Sequence, residues 1–348
     1  MNRDFEPQTT PVLIVPYVWI GDFVRCHSVV KVLHAQSPDL AIDILSSTLC
    51  APLADYMPDV RKAVVFDLPR RSLPLPRYLQ LSEIMRDAHY AQALIMLRTW
   101  KSALAPWLAG IPLRTGFIGE LRYGLINDLR RGERALPRMI DRMGALALLP
   151  GDKLPAEWPL PELSVPESEI ATWRAKNGLQ GDGRPVVAFC PGAVGKGKAW
   201  PPGHYAALAR ELAKDGVSVW VLGGPSETAL AGEIASAGGE RVRDLTGGDL
   251  RNAIIALAAA DAAVTNDSGL MHVAAAIGTP TIAIFGPTSP WHWKPLNPVD
   301  AILEPPTDPA TLERMRTQGN DAVAHRRTVD VPVAQVAEAV RAALANKR

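Results

Sequence analysis

The sequence predicts an α/β protein built from two Rossmann-like domains, each a doubly wound parallel sheet, facing each other across a central cleft. Three observations lead there. At 348 residues the chain exceeds what one typical core encloses. Short apolar runs bounded by turns alternate with helical patterns in both halves. A stretch containing Pro150, Pro155, Pro159, Pro161 and Pro166 separates the two series and reads as a linker. The expected division is residues 1–155, residues 156–325, and a C-terminal helical segment, 326–348, that packs back on the first domain.

The first series opens with PVLIVPYV (11–18), an apolar run of the buried-strand type. It breaks at Trp19-Ile20-Gly21-Asp22, and a helix follows with Phe23, Cys26, Val29, Val30 and Leu33 on one side. LAIDIL (40–45), AVVF (63–66) and ALIML (93–97) read as further strands, and 137–149 as a closing helix. In the second series Pro166 starts a helix, with Glu167 and Glu169 complementing the dipole and Gly178 ending it. VVAFC (186–190) and VSVWVLG (217–223) are strands flanking a helix over 204–214. Asp249 caps a helix over 250–260, AAVT (262–265) and TIAIFG (281–286) are strands, and 331–345 is a terminal helix.

Composition bounds the function. Hydrophobic residues are 47% and charged residues 21%, ordinary for a globular protein. With 37 basic and 36 acidic residues, whole-chain charge offers no argument for a nucleic-acid partner. Cys26, Cys50 and Cys190 form no CxxC pair, so neither a zinc site nor a disulfide framework is expected. The start MNRDFEPQTT lacks a basic n-region, and the apolar run after it stops at Gly21-Asp22. That is neither a signal peptide nor a membrane span, and a cytoplasmic location is the expectation.

Ligands of doubly wound sheets bind outside the carboxyl ends of the strands, so the strand ends carry the candidates. In VTNDSGLMHVAAAIGTP (264–280) a strand runs through a tight polar turn into a helix. Ser268 is placed to cap that helix, Gly269 lets a ligand approach the backbone, and His272 lies one turn on. A helix N-terminus so presented favours an anion; the alternative is a plain cap, an eased turn and a core histidine. Cys190-Pro191-Gly192-Ala193 is followed by Gly195, Lys196, Gly197 and Lys198, a loop that suits a phosphate but lacks Walker spacing. The other reading is a solvated loop. Glu227, after Gly223-Gly224, reads either as an acceptor for ribose or base hydroxyls or as a first-turn acid. Asp244–Asp249, containing Thr246, Gly247 and Gly248, is a further polar turn. Four such strand ends in one domain argue for a nucleotide site better than any one of them.

In the first half Asp22 reads either as a general base or as a helix cap. Between Arg98 and Arg142 nine basic residues stand against four acidic ones, Arg114 and Arg122 among the basic and Lys101 beside them. Such a wall suits an anionic substrate or membrane surface, or is plain solvated surface. No Asp-x-Asp occurs, so a metal held in that manner is not expected.

The motifs WIGDFV (19–24), KSALAPWLAGIPLRTGFIGELRYGLINDLR (101–130), CPGAVGKGKAWP (190–201) and TNDSGLMHVAAA (265–276) resemble the heptosyltransferases of lipopolysaccharide inner-core assembly, glycosyltransferase family 9. The likeness is greatest to the heptosyltransferase II branch. It implies a GT-B fold and inverting transfer from ADP-heptose, with no metal or other cofactor strictly required. It places the catalytic aspartate on Asp22. It carries donor binding onto Lys198, Glu227, Asp267, Ser268, Gly269 and His272, and the neighbouring strand-end turns add Gly192, Ala193, Thr246, Gly247 and Gly248 to the expected donor contacts. Lys101, Arg114 and Arg122 would then bind a Kdo–lipid A or heptosylated acceptor, with peripheral contact to the anionic inner membrane. The loop Ala193–Lys198 is one residue shorter than the family pattern, and Arg98 replaces a neutral polar residue. Rival readings are a transferase for another nucleotide sugar, a nucleotide-sugar epimerase, and a non-catalytic binding module.

Overall fold

Short β-branched and aliphatic runs make the strands, and turn residues at their ends hand the chain to helices. The computed structural model describes residues 10–69, 72–181 and 183–346. Residues 1–9, which carry part of the leader argument, lie outside them. The chain divides into Met1–Pro161 and Glu162–Arg348.

The first unit has strands β1 (Val12–Val15), β2 (Ile42–Ser46), β3 (Lys62–Val65), β4 (Gln92–Ile95), β5 (Leu113–Phe117) and β6 (Asp128–Arg130). Its helices are α1 (Ile20–Gln36), α2 (Ala51–Tyr56), α3 (Leu75–Asp87), α4 (Trp100–Leu108) and α5 (Met139–Gly144). The sheet is parallel with order β3-β2-β1-β4-β5-β6. Leu13, Ile14, Leu94 and Ile95 are fully enclosed, as strands covered on both faces must be.

In the second unit, α6 (Glu167–Lys176), β7 (Val186–Cys190), α7 (Pro202–Lys214), β8 (Ser218–Val221), α8 (Thr228–Gly238), β9 (Val242–Asp244) and α9 (Leu250–Ala259) come first. They are followed by β10 (Ala262–Asn266), α10 (Gly269–Ile277), β11 (Thr281–Ile284), α11 (Pro290–Trp293), β12 (Ala301–Leu303), α12 (Pro309–Gln318) and α13 (Val333–Asn346). This sheet is parallel too, with order β12-β11-β10-β7-β8-β9. Counted within its own unit it repeats the order 3-2-1-4-5-6, the Rossmann arrangement.

Several elements were not visible in the sequence: β5, β6, β9, β12 and α8. The strands among them are short, and β6, β9 and β12 lie at sheet edges where polar residues are tolerated. β5 hides because Gly116 interrupts it. A Cβ there would lie 3.0 Å from the Ile95 oxygen and 3.1 Å from Arg122 Nη2. The helix expected over 137–149 is regular only across α5.

The unit boundary falls later than expected, and two tryptophan-and-leucine anchors explain it. Trp158 belongs to the first unit: its indole N–H donates to Asp141 Oδ1 at 2.9 Å, and its ring packs on Gly144. Leu163 belongs to the second: its N–H donates to the Ala276 oxygen at 3.0 Å. The C-terminal segment also departs from expectation. Val336, Ala337, Val340 and Ala343 of α13 enter the core of the second unit beside Trp200 and Tyr205. Among the described residues no helix is long and apolar enough to cross a membrane.

Two glycines test this packing in opposite directions. A Cβ at Gly144 would sit 2.2 Å from the Trp158 ring. Gly144→Ala is expected to destabilise the first unit by about 1–3 kcal/mol. Gly232 is an exposed position inside α8 where a Cβ meets nothing within 4 Å. Gly232→Ala is expected to stabilise the second unit by about 0.5–1 kcal/mol. Urea unfolding of both variants, followed by far-UV circular dichroism, reads the two signs.

Candidate active site

In a sheet of this order the loops after the first and fourth strands diverge to opposite faces and leave a crevice between them. In the second unit those are the loops after β7 and β10. Asn266 at the end of β10 is fully buried and ties the two together. Its Nδ2 donates to the Pro191 oxygen at 2.7 Å, while its Oδ1 accepts from the Trp200 N–H at 3.1 Å and the Tyr205 hydroxyl at 3.2 Å. This fixes where the glycine- and lysine-containing loop starts and ends.

Lys198 from that loop and Asp267 from the β10 turn meet as an ion pair, Nζ to Oδ2 2.7 Å. The same oxygen accepts the Thr288 hydroxyl at 2.7 Å, so the carboxylate that holds the lysine is itself held. Ser268 stands at the N-cap position of α10 with extended backbone, but its side chain makes no capping bond. That corrects the cap reading of Ser268. The first-turn amides at Gly269 and beyond therefore stay uncapped beside the lysine, the arrangement that binds anions. His272 is buried one turn further along α10.

The turns after β8 and β9 adjoin this crevice. Glu227 Oε2 accepts the Gly224 N–H at 2.8 Å and Oε1 the Ser226 hydroxyl at 2.6 Å. The side chain lies across Gly223 and Gly192: a Cβ on Gly223 would come within 2.7 Å of Glu227 Cβ, one on Gly192 within 3.0 Å of Cγ. Absence of those two methyls is what lets the carboxylate reach the β7 loop, beside Ala193. Gly247, with φ +84°, donates its N–H to the Gly223 oxygen at 3.1 Å. Thr246 turns back on Asp244, with N–H to Oδ1 at 2.9 Å and hydroxyl to Oδ1 at 2.7 Å. Gly248 lies under Asn252, whose N–H is capped by Asp249 at 3.0 Å. The sheet order makes β10, β7, β8 and β9 consecutive neighbours, so all four polar turns form one continuous edge.

Sequence reasoning missed the residues that brace this edge. Thr288 follows TIAIFG and could have been found as the next polar strand end. Arg326 and Thr328 carry no local signal. Arg326 is buried and donates to the Gly286 oxygen at 3.0 Å and the Thr288 oxygen at 3.0 Å. Thr328 donates from its hydroxyl toward the Ala199 oxygen at 2.7 Å, with the Gly197 oxygen at 3.2 Å. Both hold the lysine loop and its neighbour in place.

In the first unit the equivalent loops follow β1 and β4. Asp22 lies in the first turn of α1, whose N-cap is Trp19 without a side-chain cap. It is therefore no cap: its Oδ1 takes the Arg25 Nη1 at 2.9 Å, and both side chains are buried. Burial raises the Asp22 carboxyl above the ordinary aspartate range, and the Arg25 charge and hydrogen bond only partly oppose it. Tyr17 nearby is pushed up to about 12, first by burial and then by the charges of Glu133 and Asp22.

The basic wall is largely spent within the fold. Arg122 is 1% exposed, with Nη1 donating to the Leu97 oxygen at 2.6 Å and Nη2 to the Phe117 oxygen at 2.5 Å. Burial pulls it down to about 10. Arg114 donates to the Leu125 oxygen at 2.7 Å and to the Ile111 oxygen. Arg98 pairs with Glu133, Arg130 with Asp128 and Arg138 with Asp141, each at 2.8–2.9 Å. Both Arg114 and Arg122 brace the β4–β6 region. Arg122, enclosed there, cannot meet an acceptor, which corrects its reading as an acceptor contact, while Arg114 stays partly exposed. Lys101 remains half-buried, its Nζ 3.4 Å from the Ser72 oxygen. Beside exposed Arg98, Thr99 and Glu120, this edge carries exposed apolar side chains: Trp19 (51%), Leu49 (57%), Trp100 (36%) and Leu121 (72%). Among the described residues no three His, Cys, Asp or Glu side chains gather as a metal site.

Known proteins share this fold and sequence pattern. The glycosyltransferase family 9 (heptosyltransferase) pattern matches residues 78–322. The chain superposes on the Escherichia coli ADP-heptose lipopolysaccharide heptosyltransferase II structure with a TM-score of 0.84. That match has 34% identity and covers 97% of this chain and 99% of the other. The two Rossmann-like units are those of a GT-B fold, and the chain belongs to glycosyltransferase family 9. Over 298 residues it is 38% identical to lipopolysaccharide heptosyltransferase 2 of Escherichia coli K12, covering 82% of this chain and 85% of that one. Over 334 residues it is 35% identical to lipooligosaccharide heptosyltransferase 2 of Haemophilus influenzae, covering 92% and 95%.

The contrast between Arg122 and Lys101 gives a direct test. Arg122→Met removes the guanidinium from the buried Phe117 carbonyl and from the Leu97 carbonyl, and is expected to cost about 2–4 kcal/mol of stability. Lys101→Met, at a partly solvated site, is expected to stay within about 0.5 kcal/mol of wild type. Chemical denaturation of the two variants decides between brace and surface cation.

Proposed function

We propose that this chain moves heptose from ADP-L-glycero-D-manno-heptose to the inner core of lipopolysaccharide, with inversion at the anomeric carbon. The observation that carries the reading is the Lys198–Asp267 pair beside the uncapped α10 N-terminus, at the switch point of a parallel sheet. That is a place built for a diphosphate. Lys198 would exchange its carboxylate partner for the departing ADP, and the α10 amides would receive the charge that grows there. A bound metal is not part of this scheme. Glu227 and the Thr246–Gly248 turn would hold ribose and adenine. Asp22 would take the proton from the acceptor hydroxyl as its oxygen attacks the anomeric carbon. A carboxyl raised by burial is a stronger base than a solvated aspartate, and that supports the assignment.

The acceptor would be Kdo–lipid A or a heptosylated precursor. Lys101 would meet its anionic groups, and the exposed Trp19, Trp100 and Leu121 would meet its apolar parts or the inner-membrane surface. The test is purified protein with ADP-heptose and core-truncated lipopolysaccharides, read by mass spectrometry for the added sugar. Donor incubated alone should stay unchanged; conversion without acceptor would make the protein an epimerase, and binding without ADP release a non-catalytic module.

The roles assigned to Asp22, Arg25 and Lys198 are each open to a substitution. Asp22→Asn should lower turnover by about 10²-fold or more with ADP affinity nearly intact. Because the base works as carboxylate, activity falls as pH drops through its raised pKa. Arg25 favours the carboxylate, so Arg25→Met should move that acid limb to higher pH in a kcat/KM profile. Lys198→Ala should weaken ADP binding and slow transfer together, by about 10- to 10³-fold in rate, measured by calorimetry and single-turnover kinetics.

A further inference from the structure

The second sheet has a second charged cavity, on the edge opposite the candidate active site. It lies where β7, β8 and β9 begin and encloses about 260 Å³. Arg174, Arg184, Arg241 and Arg243 line it, with Glu240 as the acid among them and Trp220 in its wall. Like charges gathered in a concave site repel one another and raise the local potential, an arrangement that favours entry of an anion. Two further observations bear on it. Arg241 Nη1 is buried beside Gly216 with no hydrogen-bond partner. That nitrogen is closed off on the Gly216 side, so it is the rest of the Arg241 side chain that lines the cavity. Arg174 is pre-set: it donates to the Ala259 oxygen, and its guanidinium lies 5.6 Å from the centre of the Trp220 ring. Ordered planar forks match the oxygens of a phosphate.

We propose that this cavity is an anion site for a small phosphate-bearing ligand, separate from the donor site. It is tied to the donor edge through the sheet itself. The Val219 N–H donates to the Arg241 oxygen at 2.9 Å, and Trp220 pairs in register with Arg243. The same two strands end in the Gly223–Glu227 and Thr246–Gly248 turns. Arg241 and Arg243 lie two residues apart on the β9 side, so an occupant bridging them would sit against the β8–β9 ladder whose far ends form the candidate nucleotide pocket.

The test is calorimetric titration of the full chain with inorganic pyrophosphate. Arg241→Gln/Arg243→Gln is expected to weaken binding about tenfold or more, and Lys198→Ala to leave a binding component at this site. Glu240→Gln, which removes the opposing charge without touching a guanidinium, should tighten binding severalfold. That variant keeps the test decisive if the double arginine variant fails to fold. Vesicles containing phosphatidylglycerol separate the sources of phosphate. Vesicle binding that the arginine variant loses and pyrophosphate competes assigns a lipid headgroup; vesicle binding indifferent to the variant assigns a free anion. Pyrophosphate affinity that is unchanged by both Glu240→Gln and the arginine pair, or no binding at millimolar pyrophosphate, overturns the site.

Discussion

In a parallel sheet every strand delivers its carboxyl end to the same edge, and where the strand order reverses, two successive loops must part. Both units of this chain obey that constraint with the same 3-2-1-4-5-6 order. The chemistry follows from it. Asp22 sits beyond β1, Lys198 beyond β7 and Asp267 beyond β10, each at the crevice the topology opens. Nothing in either sheet has to be distorted to present them. The scaffold supplies an edge, and short stretches of turn sequence decide what that edge does.

The two edges are finished in different physical ways. In the second unit the polar turns are laced together: Asn266 spans two loops, Glu227 rests on two glycines, and Asp267 serves both Lys198 and Thr288. Such satisfaction of buried polar groups fixes geometry before a ligand arrives. In the first unit a buried carboxyl is left with one guanidinium, too little to cancel its desolvation. One edge is laced by satisfied polar groups, while the other keeps a carboxyl raised by burial.

The periodicity of the sequence revealed the class of fold, because doubly covered strands are uniformly apolar and hard to mistake. It lost β5 to a glycine demanded by the Arg122 side chain, and β9 and β12 to their places at the edges. The donor residues were legible because each stands in a turn immediately after a strand. Arg326 and Thr328 were not, since their partners lie 40 and about 130 residues away and no local pattern records such pairing. The arginine-rich stretch misled for a related reason. Composition counts charges but is blind to the backbone carbonyls and carboxylates that consume them, and Arg122, the most enclosed of the set, looks in sequence like any other surface cation.

Thr328 has a consequence for how the protein comes into being. The loop that carries Lys198 is complete only when a hydroxyl from the far end of the unit closes over Gly197 and Ala199. On the ribosome, β7 through β11 can pair and bury their side chains well before that residue has emerged. The nascent chain therefore passes through an interval in which its strands are paired but neither the Lys198 loop nor the α13 side of the core is closed. Long-range closures of this kind form late. A message cut short after β12 would lack both the Thr328 anchor and the α13 side chains that close the core around Trp200 and Tyr205, leaving apolar surface open to quality control keyed to exposed core.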